Sequence, residues 1–540
     1  MFTTWAGTMF ANLENDQSTS LAARVAATIL PIISVLVLVG IVGNAKGYTN
    51  PKSHYPVGGS DLKHGRLFRR FRQQQHWFKA GGQIIHDGYK RFPDKIWTIP
   101  SNDRTSIVLP PRFLEEVKNL PESVASLGHA LSDTMMGNWT NIDYTMLRRP
   151  LVDAIIRQYI VKLGQQVAPT TEEAEYVMSR VWASYQDYTP VMAHAKVLDI
   201  VSRTVSRTNV GRDLCRNPEW LTASLGYAHN VMTAAIFMKR VPDYARPLVA
   251  VFTPYLYRSR RHSLAIRRLV LPLVEQKMAW RRDNPESWRT HLKTDETTSL
   301  DWLIETTPPE EMTADMIAHR LLGIVLGSIH TTSNTISNAL MNLASDFDRW
   351  APDLRQEIAT GLGSRSVKDT TNVDLSRMWL LDSFLKESQR RNPVPMSISV
   401  NRKMLQQHTL SSGDVLPKNA HICFASGAMA KSEEYFHNAH EFDGFRFARL
   451  RREAAQGTAD QKSGLQFTSS YEGSLHFGHG RSICPGRFFG SMISKLVLID
   501  VLQRYDLKLG GSGKRPDNIL CLEMDAPDPN VEILFRDRVV

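Results

Sequence analysis

The spacing of apolar residues changes along this chain, and each spacing predicts a different element. Val25 to Gly43 is an uncharged run of nineteen residues, about 28 Å as a helix at ~1.5 Å per residue, enough to span a bilayer core. Lys95–Ile99 and Thr105–Leu109 are short β-prone runs around Pro100-Ser101-Asn102-Asp103, which predicts a hairpin. Helical periodicity then takes over, with helices expected at 112–119, 145–164, 171–182, 192–207, 217–239 and 243–280. Residues 122–144, with Met135, Met136 and Trp139, show no clear period. From Thr313 to Asp346 the pattern stays helical for roughly 50 Å, long enough to cross a domain. Leu381–Arg390 is amphipathic, Ser397–Val400 and Leu410–Pro417 read as short strands, and 451–470 reads as a flexible insertion. Phe488, Phe489, Met492, Ile493, Leu496, Leu498, Ile499 and Leu502 mark a buried helix expected to start at Cys484, with Pro485 at its first position. The fold class is therefore mainly α with a small β-rich part, preceded by a single N-terminal transmembrane helix.

The domain plan follows: a tail at 1–24, an anchor at 25–43, a Pro/Gly hinge at 44–62 (Pro51, Pro56, Gly58, Gly59) and one body at 63–540. The long, nearly uncharged leader argues against a cleaved signal peptide. Lys46, Lys52, Lys63, Arg66, Arg69, Arg70 and Arg72 follow the apolar run, against Arg24 alone before it, which places the body in the cytosol. Cys215, Cys423, Cys484 and Cys521 lie far apart, with no zinc spacing and no disulfide framework. The net charge of +11 comes from scattered residues without a nucleic-acid motif. An anionic membrane surface or an acidic protein suits it better, and most of these charges are solvated ones.

Chemistry concentrates in Phe477-Gly478-His479-Gly480-Arg481-Ser482-Ile483-Cys484-Pro485-Gly486. The glycines predict a tight turn and close approach to something flat, and a helix dipole with Arg481 favours thiolate at Cys484. A lone thiolate on such a loop suits the proximal side of a haem iron. The order Phe-x-x-Gly-x-x-x-Cys-x-Gly resembles the haem signature of the cytochrome P450 family. By that resemblance Cys484 is the axial ligand of haem b, with Phe477, Gly480, Arg481 and Gly486 around it. Ser482 stands where the family carries Arg or His for a propionate, so that contact is left open.

Other motifs extend the resemblance. Gly327-Ser328-Ile329-His330-Thr331-Thr332 weakens helix propensity, and the Thr331 hydroxyl is expected to reach the Gly327 carbonyl and open the helix locally. Thr331 falls on the family's catalytic threonine. His330 replaces the usual acid and is expected to relay protons beside it. Glu387 and Arg390 match the family's Glu-x-x-Arg helix, and Arg446 supplies the third member of a structural triad. Val394, Pro395 and Met396 would line the pocket, and 122–144 would close one side of it unless its apolar residues are plain core.

The resemblance implies a haem-thiolate monooxygenase, most like membrane-bound fungal members of secondary metabolism. It would use dioxygen and NADPH-derived electrons to oxidise a lipophilic terpenoid, alkaloid or polyketide. The implied partners are NADPH-cytochrome P450 reductase, with cytochrome b5 as a second donor, and the endoplasmic reticulum membrane. Arg481, Arg487 and Lys495 form either a docking face for the reductase or solvated charges. A redox-neutral rearrangement or dehydration is the alternative on the same fold, and a non-catalytic membrane-tethered haem protein a more remote one.

Overall fold

The computed structural model describes residues 55–58, 69–99, 104, 106–147, 163–241, 243–394, 396–456 and 464–539. The tail, the apolar run and most of the hinge lie outside these residues. Among the described ones, no helix is long and apolar enough to cross a membrane.

Helix α1 (Arg69–Arg91) leads into β1 (Trp97–Ile99) and β2 (Ser106–Val108), the expected antiparallel hairpin, with Trp97 opposite Val108. Strand β3 (Ala125–Ser126) and three short helices, α2 (Leu127–Thr134), α3 (Gly137–Thr140) and α4 (Asp143–Met146), fill the stretch without clear period. There follow α5 (Leu163–Val181), β4 (Thr189–Met192), α6 (Ala193–Val210), α7 (Pro218–Lys239), α8 (Pro254–Asp283) and α9 (Ser299–Thr306). The long α10 (Ala314–Ser345), α11 (Phe347–Leu362) and α12 (Trp379–Arg391) precede β5 (Ser399–Met404), β6 (His408–Thr409), β7 (Val415–Leu416) and β8 (His421–Phe424). The chain ends with α13 (Arg446–Ala455), α14 (Arg487–Arg504), β9 (Tyr505–Leu509), β10 (Ile519–Cys521), β11 (Met524–Ala526) and β12 (Glu532–Asp537). The larger sheets have strand orders β1-β2-β8-β5-β3 and β4-β12-β9.

Prolines explain two departures from the periodicity. The expected 243–280 helix is broken, with Arg246–Val251 separated from α8 by Phe252 and Thr253. Thr253 precedes Pro254 and sits at φ −88°, ψ 104°, because a residue before proline is pushed out of the α region. Conversely, α5 begins at Leu163 rather than 171 and carries Pro169 inside it. The helix continues through Pro169, and the Thr170 hydroxyl donates to the Gln166 carbonyl one turn back. Of the expected 145–164 helix, residues 148–162 lie outside the described residues.

α10 positions everything else. Thr313 caps it by accepting from the Met316 amide. Ile317, Leu321, Val325, Ile329, Ile336, Leu340 and Leu343 are all buried, so the helix is apolar on most of its circumference. It packs against α6, α8, α12 and α14 within the main core. A second core lies under the five-stranded sheet.

Candidate active site

The cysteine loop is closed by its own backbone. The Cys484 amide donates to the Phe477 carbonyl at 2.7 Å, and the Arg487 guanidinium donates to the Cys484 carbonyl at 2.9 Å. Gly478 and Gly480 have φ of +75° and +65°, left-handed values that favour glycine. At Gly480 a Cβ would also stand 2.7 Å from the Lys118 backbone oxygen. The regular helix starts at Arg487, not at Cys484 as the periodicity suggested. Cys484 precedes a proline and is biased away from α geometry, and Gly486 at ψ 3° completes the turn into α14.

The opposite wall is α10. The Thr331 hydroxyl donates to the Gly327 carbonyl at 2.8 Å, the bond read from the sequence. The helix does not open there: it runs unbroken through Ser345. Ser328, Thr331 and Thr335 each bond a carbonyl one turn back, and this i−4 pattern needs no break in the ladder. A Cβ on Gly327 would meet nothing within 4 Å. Thr332 faces Gly490 of α14, its hydroxyl 3.7 Å from where a Gly490 Cβ would lie.

Cys484 and Thr331 thus line one cavity, together with Phe477, Gly486, Phe489 and Val394. The donor set suits an iron porphyrin ligated by one sulfur. Among the described residues no three His, Cys, Asp or Glu side chains gather to hold a bare metal ion. Among the described residues the histidine lining the cavity is His476, which is engaged by Ser474 and the Phe467 carbonyl, and burial pushes its ring down to about 3. Gly486 and Gly327 face empty space that a Cβ would begin to fill. Cys484 would hold the haem from one side, while Gly327 and Thr331 leave room on the other.

His330 is a correction. It does not line the cavity but turns to Leu225 and His229 of α7 and to His194 of α6. Gly323, Ile324, Gly327, Ser328, Thr331 and Thr332 form the stripe of α10 that lines the cavity, and at about 100° per residue position 330 falls outside it. Burial, with the two other histidines adding to it, pushes its imidazole down to about 4. It is neutral at pH 7, and its Nε2 has no partner.

The charge triad is assembled away from the cavity. Arg390 bonds Glu387 through Nε and Nη2, both at 2.7 Å, and Arg446 Nε lies 3.3 Å from both carboxylate oxygens. The Asp443 amide adds a bond of 3.0 Å. Remaining guanidinium donors reach the carbonyls of Ala430, Ala439, His437 and Asn438, so the triad ties the 430–446 segment to α12.

Other expectations separate. Lys495 belongs to no docking face: it is buried, 2.7 Å from Asp382, and donates to the Leu375 carbonyl. Arg481 is exposed, with its amide toward the Lys118 carbonyl. Met396 bridges to Met524 instead of lining the cavity, and Pro395 lies outside the described residues. Met136 and Trp139 pack with Met238 and Leu256 in a small core, so among the described residues 122–144 contributes nothing to the cavity lining, which begins just after it at Thr145 and Met146. The 464–470 stretch is packed, not flexible, because Leu465 and Phe467 are buried and Phe467 lines the cavity. Gln389, Asn209 and Ser299 also line it without having been singled out by any motif.

A family model described as Cytochrome P450 matches residues 147–528. Cytochrome P450 monooxygenase olcJ of Penicillium canescens is 29% identical over 477 residues, 87% of each chain. Cytochrome P450 monooxygenase paxP of Penicillium paxilli is 30% identical, covering 84% of this chain and 85% of its own. An ent-kaurene oxidase of Gibberella intermedia is 30% identical, covering 85% and 84%.

Proposed function

The chain belongs to the cytochrome P450 family, and from that premise we propose the class of its substrate and the roles of its residues. It is a P450 monooxygenase using haem b with cysteine thiolate ligation, dioxygen and electrons drawn from NADPH. Its substrate is a lipophilic small molecule of secondary metabolism: a terpenoid, alkaloid or polyketide. The observation carrying this reading is that Cys484, on its loop, and Thr331, on α10, line one largely apolar cavity. Relatives named as ent-kaurene oxidases favour a rigid hydrocarbon framework.

When bound, the haem supplies the oxygen-activating chemistry, which thiolate donation promotes. Cys484 is its ligand, held in place by the Phe477 carbonyl. The Thr331 hydroxyl donates to the Gly327 carbonyl, which leaves its oxygen lone pairs to accept from a water in the cavity and so position that water as the proton donor there. Phe477 and Phe489 give the cavity apolar walls beside the sulfur. Glu387, Arg390 and Arg446 hold the scaffold.

Electrons come from NADPH-cytochrome P450 reductase, docked on the face carrying Arg481 and Arg487. The chain sits on the endoplasmic reticulum membrane through residues 25–43. A second apolar edge supports that placement: Val251 and Phe252 are each 77% exposed, beside the exposed Arg258, Arg260 and Arg261. The test is stoichiometric. With reductase, product formation should consume one NADPH and one dioxygen per oxygen inserted. Product formed without electron consumption would replace this reading with a redox-neutral rearrangement.

A further inference from the structure

The cavity has a second polar end that oxygen activation does not use. Asn209, on the last turn of α6, is 3% exposed and lines the cavity together with Ser299, the first residue of α9. The Ser299 hydroxyl donates to Asn209 Oδ1 at 3.0 Å, which orients the amide. Asn209 Nδ2 is then a buried donor with no partner. The hydroxyls of Thr208, Ser328, Thr331 and Thr335, in the same wall, all donate to carbonyls of their own helices. Gln389 Oε1 is also unpartnered, but it is an acceptor on the helix of the charge triad. Burying an amide donor unmatched is costly unless a ligand completes it.

The helix register says where this donor lies. His194 near the start of α6 is 3.0 Å from Ser337 of α10, and Val205 and Asn209 share the cavity with Gly323 and Ile324. α6 therefore runs antiparallel to α10, and Asn209 comes level with the Gly323 turn. That turn is eight residues before Thr331, about 12 Å at ~1.5 Å per residue.

We propose that Asn209, held by Ser299, is a substrate-orienting donor that binds a neutral acceptor oxygen, a carbonyl or ether, at the end of a lipophilic substrate remote from the oxidised carbon. The inference rests on the monooxygenase reading. A neutral oxygen suits this end because its donor is an uncharged amide set among Thr, Ser and apolar side chains. The substrate thus arrives already oxygenated, from a reaction that installs or retains an oxygen on the far end of the framework.

The test uses the full-length holoenzyme in detergent and matched rigid probes: androstanone with androstane, and adamantanone with adamantane. Equilibrium dialysis gives the ratio of dissociation constants within each pair, so partitioning into detergent cancels between variants. One well-made hydrogen bond should favour the ketone roughly tenfold in at least one pair. Asn209→Leu should bring that ratio to one or below, because the ketone then loses its water without gaining a partner. Asn209→Asp, close to isosteric but with an acceptor oxygen in place of the donor, should also lose the ketone preference, and it carries the test if the leucine variant does not fold. A ratio near one in every wild-type pair, or a ketone preference unchanged in Asn209→Leu, overturns the proposal. The reduced CO spectrum separates the two readings. With its thiolate-type band present, a flat ratio removes only the subsite; with the band absent from wild type, the monooxygenase reading and the subsite fall together.

Discussion

Arg390 and Glu387 meet through two parallel hydrogen bonds of 2.7 Å, with their side chains 1% and 0% exposed. A fork of this kind satisfies the carboxylate geometrically as well as electrostatically. Removing the negative charge leaves two buried guanidiniums uncompensated, a loss of about 3–5 kcal/mol for a broken buried pair. Glu387→Gln should therefore purify with little haem, less than about a tenth of the wild-type ratio, and with a lower urea midpoint. Arg390→Lys keeps the charge but not the fork and should fall between the two. Wild-type haem content in Glu387→Gln would show that the triad does not hold the scaffold.

Cys484→Ser should lose the thiolate-type band of the reduced CO complex. The Phe477–Cys484 loop bond is made by a backbone amide, so the serine variant keeps the fold around the site. Circular dichroism should be unchanged while the spectrum is lost. A retained thiolate band would mean that another cysteine is the ligand, yet Cys215 and Cys423 are buried away from the cavity with thiols pushed up to about 12.

Thr331→Ala removes the hydroxyl bonded to Gly327 but leaves α10 intact, since alanine is the better helix former. Haem content and thermal midpoint should match wild type. Hydrogen peroxide released per NADPH should rise severalfold at the expense of product, and Thr331→Ser should restore coupling. Unchanged coupling in the alanine variant would remove Thr331 from proton delivery.

Local spacing made the cysteine loop, the Glu387–Arg390 pair and the span of α10 legible, because each is written within a few residues or one helical period. The Thr331–Gly327 bond followed from i−4 geometry alone. What stayed hidden depends on partners far along the chain. Lys495 looked like a surface charge until Asp382 and the Leu375 carbonyl, more than a hundred residues upstream, buried it. Phe467 was lost in a stretch read by composition, where Leu465 and Phe467 were the only hint of packing. His330 was assigned as the residue just before Thr331, but it falls outside the stripe of Gly327, Ser328, Thr331 and Thr332 that lines the cavity. Asn209 carries no motif; only the meeting of α6, α9 and α10 gives it a role.

The position of His330 predicts a pH dependence with a defined sign. Its folded-state value of about 4 lies below the ordinary 6.5, from burial and then the neighbouring His229 and His194. The unfolded chain therefore binds the extra proton first as pH falls. The neutral ring's contribution is complete above about pH 6.5 and is lost progressively toward pH 4. Linkage over that interval amounts to about 2 kcal/mol between pH 7 and pH 5. His476 acts in the same direction and Asp500, raised to about 6 by burial, in the opposite one. Both are common to wild type and a His330 variant, so the comparison between the two isolates His330. His330→Phe should flatten the fall of the urea midpoint between pH 7 and pH 5 and leave peroxide release at pH 7 unchanged. An identical pH slope would mean that the ring is charged or solvated in the folded protein. Increased peroxide release would return His330 to the proton path.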